Sequence, residues 1–215
     1  RIGLYDHFWP ETIPDYWANQ GYPKDEPPSR YFDYDIAPCG GWVSTMSFPD
    51  RKDVLEETEE WHKIRDGRGA TMKFWKKKSG TPEHIAFEVT TPEVWKKYRE
   101  PLLAPAEIKR LGDVEKMRTD MKNAREQGRY SVMGCIFVFE LMRLTMGDQE
   151  FLPALLTDPD WIRDFCDVYL DYYRRHYELL FRETGTPDGF FVYEDFGYKN
   201  GLFCSPETLK ELIMP

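Results

Sequence analysis

The run Tyr130-Ser131-Val132-Met133-Gly134-Cys135-Ile136-Phe137-Val138-Phe139 constrains this chain more than any other stretch, because it is almost wholly apolar and lies between helical patterns. A strand that buries both faces in a parallel sheet reads this way. Upstream, Asp113 to Glu126 sets Val114, Met117, Met121 and Ala124 on one stripe and stops at Gly128. Downstream, a helical region reaches Thr157. Asp158 and Pro159 then open a helix that carries Ile162, Phe165, Tyr169, Tyr172, His176 and Leu180 on one face and ends at Gly185. A strand over Gly189 to Glu194, a loop to Cys204 and a helix opened by Ser205-Pro206 complete the pattern.

Apolar strands alternating with amphipathic helices predict an α/β fold with a parallel sheet. No G-x-G-x-x-G or G-x-x-x-x-G-K-[ST] is present, so a nucleotide-binding, doubly wound sheet lacks its phosphate loop. The expected topology is a (β/α)8 TIM barrel. Barrels take about 250 residues, and this 215-residue sequence stops as a helix begins. The expectation is therefore the N-terminal portion of a barrel, occupying 1–215 as one domain.

The earlier half is less regular. Arg1 to Phe8 reads as an extended run, Glu11 to Gln20 as a helix with Ile13, Tyr16 and Trp17 inward, closed by Gly21, and Tyr22 to Arg30 as a loop. Tyr31 to Ile36 reads as a buried strand that delivers an acid to the loop at Pro38 and Gly40-Gly41. Between Val54 and Val89, alternating apolar positions and the turn pairs Asp66-Gly67 and Ser79-Gly80 predict an antiparallel β-meander inserted at 54–89. Lys76-Lys77-Lys78 suits its solvated face.

With 41% hydrophobic and 16% aromatic residues the chain has enough apolar surface to fold. The net charge of -9 is the wrong sign for a general nucleic-acid or anionic-membrane binder, and no apolar stretch is long enough for a span. A small-molecule partner is expected, and a partial barrel with an exposed sheet edge would pair with a second copy to cover it, giving a homo-oligomer. Cys39, Cys135, Cys166 and Cys204 lie far apart, and Arg1-Ile2-Gly3-Leu4 does not open a secretory leader, so free thiols in a reducing cytoplasm are expected.

Barrel enzymes react at the carboxyl ends of their strands. That rule selects His7 to Glu11, then Asp33 and Asp35, then Phe139 to Arg143 and finally Glu194 to Lys199. Converging carboxylates can hold a cation, move a proton, or receive amine or pyrrole N–H groups. Each residue also has a plain structural reading. Asp35 suits a turn before Pro38, Glu140 can open a surface helix, and His7 can be a hydrogen-bonded structural histidine. Lys199 can be loop polarity, and Glu194 and Asp195 cannot both face one side of a strand. His7, His62, His84 and His176 are scattered without zinc-ligand spacing, and no G-x-S-x-G elbow is present.

Three groups of segments carry a resemblance: His7-Phe8-Trp9-Pro10-Glu11-Thr12, Tyr31-Phe32-Asp33-Tyr34-Asp35, and Pro187 to Gly201 with Ser205-Pro206-Glu207. Together they resemble the uroporphyrinogen decarboxylase superfamily, which includes the haem-pathway decarboxylase and corrinoid-dependent methyltransferases. The resemblance implies a (β/α)8 barrel of which this chain covers about the first half, and it aligns Asp35 with the family's pyrrole-binding aspartate. Two features depart from the decarboxylase. Its arginine-rich segment is replaced by Tyr5 to Glu11, and Met142 stands where its active-site tyrosine is expected.

The resemblance therefore implies methyl transfer, linked to a corrinoid protein or acting on a small methylated substrate, ahead of porphyrinogen decarboxylation. A tetrapyrrole- or corrinoid-protein-binding module without catalysis is the third reading. Asp35, Glu194 and Asp195 are the expected catalytic residues, and His7, Trp9, Glu11, Glu140, Tyr198 and Lys199 the expected substrate contacts. No metal ligand is identifiable. A methyltransferase implies zinc and a corrinoid partner, its zinc-thiolate ligands coming from the second half of the barrel, and a decarboxylase implies no cofactor.

Overall fold

The computed structural model describes residues 3–8, 12–23, 25–78 and 80–214. In chain order the elements are α1 (Pro28–Tyr31), β1 (Ile36–Pro38), β2 (Lys52–Glu57), β3 (Trp61–Asp66), β4 (Ala70–Trp75), β5 (Glu83–Phe87), α2 (Pro92–Arg99), α3 (Val114–Glu126), β6 (Tyr130–Ile136), α4 (Val138–Met146), α5 (Asp148–Thr157), α6 (Pro159–Thr184), β7 (Gly189–Tyr193), β8 (Gly197–Tyr198), β9 (Gly201–Leu202) and α7 (Pro206–Leu212). One sheet is parallel, in the order β1-β6-β7; a second is the antiparallel meander β2-β3-β4-β5; β8 and β9 form a small hairpin.

This overturns the TIM-barrel expectation. Among the described residues a three-stranded parallel sheet stands beside a separate four-stranded antiparallel one, and no eight-fold β/α repeat is present. Alternating strands and helices dictate parallel pairing, because a parallel crossover needs a connecting segment as long as a helix. They do not dictate closure.

The strand expected over Tyr31 to Ile36 is also corrected. Pro28 at a first helical position opens α1, Asp33 turns the chain at φ 52, and β1 starts only at Ile36. Residues 3–8 form no regular element, although Leu4 O accepts from the Asp35 N–H at 3.0 Å. The expected helix before Gly21 is present as a π-helical turn over Thr12–Trp17 continued by a 3-10 turn over Ala18–Gln20, with Gly21 left-handed at φ 95.

The later helices follow their sequence signals. Asp113 Oδ1 caps α3 by accepting from Lys116 N at 2.9 Å, and Met117, Met121 and Ala124 are buried. α6 buries every apolar-face residue named above. Its tyrosines have a second task. Tyr169 donates to Thr45 O at 2.8 Å, Tyr177 to Gly41 O at 3.0 Å, Tyr172 to Ser44 O and Tyr173 to Ile136 O. These phenols bind carbonyls of the irregular stretch after β1 and of the last residue of β6. One long helix thereby fixes the loop at the carboxyl end of β1 and the last turn of β6.

β6 is covered differently from the expectation. Ser131, Met133 and Cys135 point to the helical core and are buried, whereas Tyr130, Val132 and Gly134 line a cavity of about 630 Å³ on the opposite face. Its helix packing is one-sided. The strand also stops at Ile136, three residues short of the apolar run, because Val138 begins α4.

The meander expected at 54–89 is present. Asp66 builds its β3–β4 turn by accepting from Arg68 N at 2.9 Å and Ala70 N at 3.1 Å. It leans on the body through Phe87, whose ring occupies the space that a Cβ on Gly147 would need, 2.4 Å away. Among the described residues no helix is long and apolar enough to cross a membrane.

Candidate functional site

Parallel strands present their carboxyl ends to one side of a sheet, and ligands of open α/β sheets bind there. Here that edge is formed by Ile136 and Tyr193, paired in register. α4 starts immediately beyond it, so the free N–H groups of its first turn face the residues that follow β7. The chain exploits this directly. The Glu194 carboxylate accepts from Phe139 N at 3.0 Å and from Glu140 N at 2.9 Å, capping α4 from across the sheet. This explains why Val138 and Phe139 are helical despite their β-like composition.

Burial pushes the Glu194 carboxyl up to about 7, against the two N–H bonds that favour its anion, and the charge of Glu140 adds to the rise. Glu140 itself is raised by burial, with Arg143 opposing and Asp195 reinforcing. Arg143 forms the hub: it donates to Asp148 at 2.8 and 3.2 Å, to Glu140 at 3.0 Å and to Asp195 at 3.4 Å, and it lies 4.3 Å over the Phe203 ring. The Glu140 and Arg143 side chains are only 13% and 18% exposed, but Asp195 at 48% is open to solvent. The site therefore has a sheltered pair, Glu194 with Glu140, and an open acidic rim.

Of the expected residues, the structure brings together Glu140, Glu194 and Asp195. Tyr198 is adjacent, its ring 5.5 Å from that of Phe203, and Lys199 follows it in the turn of the β8–β9 hairpin. Asp35 is not with them. It precedes β1, at the amino end of the sheet, where its Oδ2 accepts from Leu4 N at 2.8 Å and its carbonyl from Tyr130 N at 2.7 Å. β6 runs from that level to the acid cluster, so Asp35 and Asp195 lie at opposite ends of the sheet. Asp33 is likewise in the turn ahead of β1. His7 is exposed, donates its backbone N–H to Asp6 Oδ1 at 2.7 Å, and lines the open-face cavity. Trp9 and Glu11 lie outside the described residues.

Arg143, at the end of the selected span Phe139 to Arg143, and Asp148 join the cluster without having been expected as site residues. The i,i+3 spacing of Glu140 and Arg143 in the first turns of a helix after a strand is the signal that could have found the hub. Tyr193, whose phenol is raised by burial and by Glu140 and Asp195, joins the acid cluster to the open-face cavity, which it also lines.

Arg143 fills the space between Glu140, Asp148 and Asp195, and no group of three or more His, Cys, Asp or Glu among the described residues could hold a metal ion. The four cysteines are free thiols, each raised by burial, Cys166 to about 12. None is poised as a thiolate nucleophile. The cluster of Glu140, Glu194 and Asp195 is suited to proton transfer and cation binding. Comparison of the chain with protein-family models, with curated proteins and with solved structures found no match.

Proposed function

We propose that the chain is an enzyme that binds a methylated amine at the carboxyl ends of β6 and β7, with Glu194 as the proton donor in transfer of the methyl group to an acceptor. The observation that carries this reading is the Glu194 carboxyl, titrating near 7 while held by the first turn of α4. A general acid works best with its pKa near the working pH. An amine nitrogen departs from a methyl group as a neutral amine only while it carries a fourth bond; a protonated Glu194 supplies that proton to substrate arriving as the free base and becomes a carboxylate, and the acidic rim then holds the resulting ammonium. Glu140, Asp148 and Asp195 outnumber the one guanidinium they share, so the rim attracts a cation. The methyl acceptor, a thiol or a corrinoid brought by a partner protein, follows from the sequence resemblance alone.

Porphyrinogen decarboxylation is the weaker reading, because Arg143 is already engaged by three carboxylates and Asp35 stands at the far end of the sheet. The test is calorimetric titration of the full chain with tetramethylammonium and trimethylamine, followed by turnover of trimethylamine with a reduced corrinoid. Glu194→Gln should preserve binding and lower turnover by about 10²-fold or more. Binding without turnover in the unsubstituted chain would support a non-catalytic module, and absence of binding would end the amine reading.

A further inference from the structure

The open face of the parallel sheet carries a cavity that the acid cluster does not use. Strand alternation puts Tyr130, Val132 and Gly134 of β6 and Gly189, Phe191 and Tyr193 of β7 on that face, over the cavity of about 630 Å³. Parallel sheets are ordinarily covered on both faces. Among the described residues this face carries a slot in place of a second layer, and its volume falls in the range of small-ligand sites, about 300–1,000 Å³.

Two glycines shape the slot. A Cβ on Gly134 would come within 2.4 Å of the Trp42 ring, and one on Gly189 within 2.8 Å of the Tyr130 ring. With hydrogen in those positions the rings lie against the backbone and present flat faces. Trp42, Tyr130, Phe191 and Tyr193 all keep about half of their surface exposed. At the carboxyl end of the slot Tyr193 lines the floor and is followed in the chain by Glu194 and Asp195, the latter sharing Arg143 with Glu140, so an apolar, ring-lined floor leads to a negative rim. Aromatic faces with carboxylates at one end are complementary to a flat apolar body carrying a positive charge.

We propose that this slot seats the aromatic body of an aryl-alkyl amine, with its cationic nitrogen at the rim formed by Glu140 and Asp195. The proposal rests on the amine reading above and narrows it from small methylated amines to aromatic ones. Charge complementarity decides for this occupant over a second copy of the chain, which would bring another net charge of -9 to the same acidic edge.

The test uses three probes on the full chain: tetramethylammonium, neutral 2-methylnaphthalene and (2-naphthylmethyl)trimethylammonium, titrated by calorimetry with sedimentation run alongside. The aromatic cation should bind at least about tenfold more tightly than either other probe, the gain expected from burying one ring system. Phe191→Ala should erase that gain while leaving tetramethylammonium affinity and the melting temperature unchanged, and Asp195→Asn should weaken both cations and spare the neutral probe. Equal affinity for the two cations overturns this proposal and leaves the amine reading standing. Binding of the neutral aromatic with no preference for either cation removes both. A dimer that Phe191→Ala dissociates would also overturn it, by assigning the face to a second copy.

Discussion

Asp188 and Glu194 stand on either side of the same strand, β7, and each carboxylate accepts two hydrogen bonds from the segment spanning β6 and the start of α4. Asp188 Oδ2 takes them from Ser131 N at 2.8 Å and Ser131 Oγ at 2.6 Å; Glu194 takes them from Phe139 N and Glu140 N. Their acidities nevertheless move in opposite directions. The Ser131 hydroxyl and N–H hold exposed Asp188 below the usual carboxylate range, whereas burial lifts Glu194 to about 7. Hydrogen-bond count does not decide which acid can exchange a proton near neutrality; solvent access does. The amino end of the sheet holds its carboxylate as an anion bound to Ser131, and the carboxyl end holds one whose proton exchanges near neutrality.

The largest expected contrast between the two ends is in packing. Phe139 is fully buried at the start of α4 against Phe151, Phe196 and Phe203, so Phe139→Ala should cost about 3–5 kcal/mol in denaturant unfolding. Tyr130 at the amino end is 51% exposed, and Tyr130→Ala should cost about 1 kcal/mol or less. Similar losses at both positions would remove the asymmetry.

The next contrast is in pH dependence, with opposite signs. A carboxyl whose folded pKa lies above its unfolded value binds its proton more tightly when folded. Glu194 therefore contributes stability that is full below about 4.5 and is lost as pH rises to about 7. Asp188, depressed in the folded state, contributes stability that is present above its unfolded pKa and lost as pH falls through the folded one. Melting curves of Glu194→Gln should thus improve relative to the parent between pH 5 and about 7.5, and those of Asp188→Asn should be worse than the parent at neutral pH and converge with it in acid. Parallel pH profiles for the two variants would contradict the comparison.

The smallest expected effect is at Asp35. Asp35→Asn should leave tetramethylammonium affinity within about twofold, because its carboxylate is at the end of the sheet remote from the rim, well beyond a Debye length of about 10 Å. A tenfold loss would return Asp35 to the site.

Which parts were legible follows from the range of the forces involved. The helix caps at Asp113 and Ser205, the stripe of α6 and the meander turn at Asp66 are local, and the sequence carries them directly. The proximity of Glu140, Glu194 and Asp195 was legible because strand ends in a parallel sheet share one side. Asp35 was misplaced because a single aromatic-rich run reads equally as a strand or as a turn, and Pro28 with left-handed Asp33 resolves it as a turn. Sheet closure and the open face were not legible: strand and helix periodicity specifies neighbours, and how many strands pack around a core depends on contacts between distant segments.

The most direct test is a carbon-detected NMR titration of the side-chain carboxyls in the full chain, with Glu194→Gln used to assign the Glu194 resonance. A midpoint near 7 for Glu194, with Asp188 titrating below the usual carboxylate range in the same sample, is the predicted result. A Glu194 midpoint at or below 4.5 would show that the two α4 N–H bonds outweigh burial, and would contradict its role as proton donor.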